Sequence, residues 1–291
     1  LRTAAERYAR IQTLSGEYPI KTLCATLAVS RSGYYAWSHS TGSVRSHRND
    51  ALRIKIAAIH QQSRQTYGSP RVTVELRAQG EPVGRHRVAR LMRLAGLRGR
   101  QKRRYRVRTT DSAHDLPIAP NRLASLATPT RPNQVWLSDL TYVPTDEGWL
   151  YVAGILDRFS RRLVGWAMGA TLDTSLPLAA LRMALQHRDP PRGLIHHSDR
   201  GAQYASADYR SALAASGVLA SMSRKGNCYD NAAMEAFWSS LKNELVYRRR
   251  FVTRAAARAA LFDYIESFYN RTRRHSSLGY QSPLDYESNL S

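Results

Sequence analysis

Between residues 131 and 246 the chain reads as three strands in succession, followed by helices that alternate with strands. "NQVWLSDLTYVP" alternates as a strand, and "GWLYVAGILDRFSRRLVGWAMG" reads as two more strands around a turn near Arg158 to Arg161. "DTSLPLAALRMALQH" is a helix opened by Asp173 or Thr174, and "GLIHHSD" is a short buried strand. "SADYRSALAASG" is a helix closed by Gly217, "VLASMS" a further strand, and "DNAAMEAFWSSLKNELVY" a helix capped by Asp230. This order predicts a mixed sheet with helices on its faces.

The preceding residues are helical and strongly basic. Residues 19–38 suit a helix-turn-helix, with Leu23, Cys24 and Leu27 on one face, a turn at Val29-Ser30 and a short second helix through Tyr34 and Trp37. Residues 49–99 predict a second three-helix unit. Asn49 or Asp50 caps a helix with Leu52, Ile56 and Ile59 on its face. "TYGSPR" is a turn, and "RVTVELRAQG" is a short helix ended by Gly80. In "VGRHRVARLMRLAG", Val88, Leu91, Met92 and Ala95 share a face; His86, Arg90 and Arg93 lie opposite, with Arg87 nearby. An arginine face with an apolar back is what a helix entering a DNA groove needs; the alternative is a solvated face. "RQKRRYRVR" (Arg100 to Arg108) reads as a basic arm or a charged linker.

Charge bounds the partner class. The formal charge is +22 over 291 residues. Residues 1–130 hold 24 Lys/Arg against 7 Asp/Glu, residues 131–246 hold 12 against 11, and residues 247–291 hold 8 against 4. Such asymmetry is the footprint of a polyanion binder, most often nucleic acid. The longest apolar run, Leu150 to Leu156, is far short of a membrane span, and no signal-peptide pattern opens the chain. Cys24 and Cys228 are the only cysteines, which excludes a disulfide framework and fits a reducing cytosol. The chain begins at Leu1 without Met, as a trimmed chain or the downstream part of a longer product does.

Three carboxylates remain to be explained. Asp139 shares a strand face with Val135, Leu137, Thr141 and Val143, where a lone charge is costly. Asp199 stands at the C-terminal end of another apolar strand, where ligands gather in α/β sheets. Glu235 lies one turn into a helix. Singly, each has an ordinary reading: strand-end polar group, turn residue, solvated helix residue. Together they can converge, and oxygen ligands suit Mg²⁺ or Mn²⁺. Two such ions can activate a nucleophile and stabilise the leaving oxygen of a phosphodiester.

Here the text resembles a known family. Thirty-five residues separate Asp199 from Glu235, and Lys242 follows two helical turns later. That spacing is similar to the signature of DDE recombinases, the insertion-sequence transposases and retroviral integrases. "VWLSDLTYV", "LDRFSRRLVGWAM", "HHSDRGAQY", "SRKGNCYDNAAMEAFWSSLKNEL" and "YNRTRRHSSLGYQSP" resemble the transposase of insertion sequence family three, the OrfB or fused OrfAB product. The likeness runs from about residue 20 to residue 288. It implies an α/β ribonuclease-H-like integrase core preceded by all-α helix-turn-helix DNA-binding domains. It implies that Asp139, Asp199 and Glu235 hold two Mg²⁺ ions, with Mn²⁺ as substitute. Water-driven cleavage would free a 3′-OH at the element end, which then attacks another phosphodiester through a circularised donor intermediate. The implied partners are double-stranded DNA (terminal inverted repeats and target) and further copies of the chain, in a bacterial cytoplasm at the nucleoid, without a membrane. Retroviral integrases carry a His₂Cys₂ zinc module, which two distant cysteines do not supply. The family's full frameshift product often adds an upstream helix-turn-helix and leucine zipper, and no heptad repeat is seen here.

The expected organisation is a helix-turn-helix segment at 1–48, a second helical DNA-binding domain with the basic arm at 49–105, a linker at 106–130, the catalytic core at 131–246 and a C-terminal helix and basic tail at 247–291. Candidate DNA contacts are Arg87, Arg90 and Arg93 on the arginine face, and Arg103 and Arg104 in the arm. Arg224 and Lys225 precede the catalytic helix and Lys242 lies on it, while Arg271, Arg274 and His275 belong to the tail. Asp157, another strand-end acid, is left to orient a neighbour or Arg158. His196 and His197 are candidates for support or DNA contact, with one of them packed in the strand. Two rival readings stay open: a ribonuclease-H-like nuclease that cuts without joining, and a DNA-binding regulator without catalysis. A tyrosine recombinase would need a clustered Arg…His-x-x-Arg…Tyr set that this sequence lacks.

Overall fold

The computed structural model describes residues 1, 3–39, 44–100, 116–124, 126–224 and 231–290. Three short helices come first: α1 (Ala4–Leu14), α2 (Ile20–Thr26) and α3 (Arg31–Ser38). A Thr3/Glu6 capping box starts α1 and the Ser30 hydroxyl caps α3. They enclose a small core of their own from Ile11, Leu23, Cys24 and Tyr34.

A second helical unit follows: α4 (Val44–Gln62), α5 (Ser69–Ala78) and α6 (Arg85–Leu94). Leu52, Ile56, Val72, Leu76, Val88 and Leu91 meet between them. The start of α4 differs from the sequence expectation. Asn49 and Asp50 lie inside the helix, and Asn49 Oδ1 accepts a hydrogen bond from Arg87 Nε at 3.0 Å. A polar residue that reads as a cap thus serves as a partner for a half-buried arginine.

The sheet holds β1 (Val135–Thr145), β2 (Gly148–Asp157), β3 (Leu163–Gly169), β4 (Ile195–Ser198) and β5 (Leu219–Met222) in the order β3-β2-β1-β4-β5. The first three strands pair antiparallel, and β4 and β5 add in parallel. Alternation along β1 sends Val135, Leu137 and Val143 into one core and Trp136 into the other. The second core is closed by α7 (Ser175–Arg188), α8 (Ala202–Ala205) and α9 (Ala207–Ala215). α7 seats directly on β3 because Gly165 has no Cβ; one there would stand 2.3 Å from the Ala180 carbonyl oxygen. The first core lies under α10 (Ala232–Glu244), which continues into the helical unit.

Part of the segment read as a linker is docked. Leu123 is buried, Arg122 N donates to Ser221 Oγ at 2.9 Å, and Arg122 Nε donates to the Ala220 carbonyl at 3.2 Å. These residues lie along β5, an edge strand whose exposed polar groups welcome a cover. Asp157 also has a structural task. Fully buried, it accepts the backbone N–H groups of Asn133, Phe159 and Ser160 and so builds the turn between β2 and β3.

Beyond α10 come a 3₁₀ turn (Val246–Arg248), α11 (Arg254–Phe262), a π-helical stretch (Asp263–Tyr269) and α12 (Pro283–Ser288). Glu244, at the end of α10, is buried and takes two hydrogen bonds from Arg273, Nε at 2.8 Å and Nη2 at 2.6 Å, and one from the Tyr264 hydroxyl at 2.8 Å. Removing one member of such a pair strands a buried charge. Arg273→Met is therefore expected to cost about 3–5 kcal/mol in denaturant unfolding. The double variant Glu244→Leu/Arg273→Met should recover part of that loss, and a double loss equal to the sum of the two single losses would mean the pair is not coupled.

Candidate active site

Strand register brings the two aspartates together. β1 and β4 pair Trp136 with His196 and Leu137 with His197. Continuing that register by two positions sets Asp139 beside Asp199 at the exit of β4. Both carboxylates are half-buried and both are oriented by the adjoining backbone: Leu140 N donates to Asp139 Oδ1, and Gly201 N to Asp199 Oδ1, each at 2.9 Å. Across the other edge of β1, Asp139 faces Gly154 of β2. A Cβ on Gly154 would stand 2.7 Å from Met234 Cε and 2.9 Å from Trp238 Cη2, so α10 lies directly over this point. Glu235, next to Met234, is exposed in the first turn of that helix.

The charges feel one another. Burial pushes the Asp139 carboxyl up to about 7, the Asp199 charge adds to this, and Glu235 adds a smaller push. The Leu140 N–H and the Trp238 indole work the other way. Lys242, two turns beyond Glu235, stands over the Tyr142 ring at 5.1 Å from its centroid. Burial lowers its ammonium, and the Asp139 charge opposes that. A cavity of about 180 Å³ opens beside the aspartates, walled by Thr141, Tyr142, Tyr151 and Gln203. Among the described residues no trio of His, Cys, Asp or Glu closes into a formed metal cluster.

The remaining sequence candidates divide. Arg90 and Arg93 are exposed on α6, opposite its buried Val88, Leu91 and Met92; Arg87 is half-buried against Asn49. Arg224 and Arg271 are exposed. Lys225, Arg103, Arg104 and the cap Asp230 lie outside the described residues. Arg274 and His275 are corrected. Arg274 makes a two-pronged bond to Glu75 of α5 and donates to the Tyr280 carbonyl, so its charge is already matched within the chain. His275 is buried edge-on to Tyr269, and burial together with the Arg273 charge lowers it to about 2, leaving a neutral packed ring. Neither is free to meet a phosphate. Both strand histidines are also packed: His196 meets the Tyr209 hydroxyl at 3.0 Å and burial drives it down to about 3, while His197 Nδ1 meets Ser221 Oγ at 2.9 Å.

Sequence reasoning passed over Gly154, Trp238 and Tyr142. Trp238 had a readable signal, since it stands three residues after Glu235 and four before Lys242 on one helix face. Gly154 and Tyr142 had none, because only strand register and side-chain packing bring them here.

A carboxyl whose folded value exceeds its unfolded one binds its proton more tightly when folded. Stability then falls as pH rises from about 4 toward the folded value. Thermal melts in EDTA should show wild type losing stability between about pH 5 and 8 relative to Asp139→Asn. Parallel curves would mean that Asp139 is not raised.

Three family models match the chain: an integrase core domain over residues 129–228, a helix-turn-helix-like domain over residues 47–105 and a further integrase core domain over residues 216–283. The chain is 51% identical over 264 residues to the insertion element IS600 uncharacterized 31 kDa protein of Shigella sonnei, covering 91% of this chain and 97% of that one. It is 42% identical over 284 residues to the transposase InsF for insertion sequence IS3A of Escherichia coli K12, covering 97% and 98%. Among solved structures it is similar to a chain of the simian T-cell lymphotropic virus intasome in complex with a PP2A regulatory subunit (16% identity, TM-score 0.47, 80% of this chain and 74% of that one). It is also similar to the HTLV-2 integrase catalytic core domain in complex with magnesium (15% identity, TM-score 0.43, 54% and 98%).

Proposed function

The chain belongs to the transposases of the insertion sequence IS3 family, with an integrase core and a helix-turn-helix-like domain, and from that premise we propose how its residues share the work. The protein binds the terminal inverted repeats of its element, cleaves to free 3′-OH ends and joins them to target DNA. Asp139, Asp199 and Glu235 hold the divalent ions of this reaction. What supports the assignment is the strand register that sets Asp139 beside Asp199, with the helix of Glu235 packed over Gly154, the register partner of Asp139.

The donor set fits a hard cation. All three groups offer oxygen, and Asp139, raised by burial and by like charge, is a carboxylate that a cation would return to its ionised form. When bound, Mg²⁺ ions, two in this reading, or Mn²⁺ in their place, lower the pKa of the attacking water and stabilise charge on the leaving oxygen. The chain's own groups do the rest. The Leu140 and Gly201 N–H groups aim the two aspartates. The rigid α10 carries Glu235 to the same point and sets the Lys242 ammonium within range of a phosphate. Arg90 and Arg93, supported by Arg87, meet DNA from α6, and Arg224 and Arg271 add backbone contacts. Lys225, Arg103 and Arg104 are assigned the same role from sequence. Two or more copies act together on paired ends, at the bacterial nucleoid. Among the described residues no helix is long and apolar enough to cross a membrane.

Labelled duplexes carrying the element ends test this reading. Wild type should nick at the element tip and yield joined products in Mg²⁺. Glu235→Gln should lose both by on the order of 1,000-fold while still binding the ends. Nicking without joining would recast the protein as a nuclease, and binding without cleavage in Mg²⁺ or Mn²⁺ would overturn the catalytic reading. Arg90→Ala and Arg93→Ala should each weaken binding and lower the slope of log affinity against log salt by about 0.9. An unchanged slope would remove α6 from the interface.

A further inference from the structure

The helix of Glu235 carries one more polar group toward the aspartates, and no step of the reaction yet employs it. Trp238 is 5% exposed, and its indole Nε1 is buried without a well-formed hydrogen bond among the described residues. Buried donors left in that condition are rare in native proteins and call for an explanation. Packing supplies part of it: the ring lies 4.8 Å from Phe237, centroid to centroid, in the core under α10. Packing alone does not explain where the N–H points.

Its neighbours identify the target. Gly154 is the register partner of Asp139 across β1 and β2. The indole rim, Cη2 and Cζ2, would stand 2.9 and 3.0 Å from a Cβ at Gly154. The ring therefore rests on the β2 backbone directly beside Asp139, and only glycine leaves room for it. From there the indole N–H favours the ionised Asp139 carboxyl. The Leu140 N–H already serves Oδ1 of that carboxyl, and an indole is a donor only, with nothing to offer a cation as a ligand.

We propose that Trp238 is a positioning residue: seated against Gly154, its indole N–H orients the Asp139 carboxylate toward the divalent ion and the reacting phosphate. This rests on the reading of Asp139 as a site carboxylate. A partner that orients a ligand without touching the metal typically contributes 10–100-fold to metal affinity or activity.

The test reads the contact and its consequence separately. The chain has five tryptophans, and the indole ¹⁵N–¹H signal of Trp238 is the one lost in Trp238→Phe. Asp139→Asn should move that signal and leave those of Trp37, Trp149 and Trp166 in place. Trp238→Phe should keep the wild-type melting temperature within a few degrees and bind Mg²⁺ about 10–100-fold more weakly by calorimetry. Should Trp238→Phe not fold, single Phe replacements of the other four tryptophans identify the signal, and its response to Asp139→Asn decides. If that signal stays still and Trp238→Phe binds Mg²⁺ as wild type does, the positioning role is overturned and Trp238 only fills space. If Asp139→Asn changes neither Mg²⁺ affinity nor end cleavage, the fault lies in the reading of Asp139 instead.

Discussion

One buried ion pair, Glu244 with Arg273, joins the helix of the candidate site to the chain that follows it. Two charges removed from water are tolerated only when their hydrogen-bonding capacity is filled. Here Arg273 serves both Glu244 oxygens and the Tyr264 hydroxyl completes the carboxylate. The pair also sets the character of its surroundings, since His275 beside Arg273 can stay buried only as a neutral ring. The next residue extends the tie, as Arg274 grips Glu75 of α5 and its backbone N–H donates to the Tyr67 hydroxyl. Arg64 with Asp263 adds a further bridge between the same two parts. The arginine face of α6 is in this way held in a set relation to the sheet, through a tail whose basic residues are partly consumed in holding it.

The other end of α10 faces the opposite problem. Near Asp199 and Glu235, Asp139 has neighbours of its own sign and a setting that penalises charge. The Leu140 N–H and the Trp238 indole work against this, and the Asp139 charge in turn supports the nearby Lys242 ammonium. An arrangement of this kind gives up stability, the usual mark of a site kept for something other than packing. The burden is carried by a sheet buried on both faces and by a helix anchored at its far end.

Much of this was legible in the sequence. The five strands were readable because strand alternation and short apolar runs are local signals, and the mixed sheet followed from their order. Asp139, Asp199 and Glu235 were nameable from their places on strands and helix together with the family resemblance, and α6 showed its arginine face through helical periodicity. The failures share a cause. Asn49 looked like a cap, yet its partner Arg87 comes 38 residues later. Of His196 and His197 only one was expected to be packed, but both are buried, His196 against Tyr209 of α9 and His197 against Ser221 of β5. The stretch around Arg122 has no periodicity to reveal that Arg122 bonds to β5.

The sequence by itself determined the five strands, their order and most of the helices, because propensity and periodicity act over a few residues or a single strand, and it offered the candidate carboxylates through the family resemblance. Only the tertiary structure decided which charges remain available for DNA. A basic residue is free or engaged according to acids elsewhere in the chain, and Arg274 finds Glu75 across 199 residues of sequence. It also decided what surrounds Asp139. Strand register sets Gly154 opposite, and that missing Cβ leaves room for the Trp238 ring on the β2 backbone, a contact that no local pattern encodes.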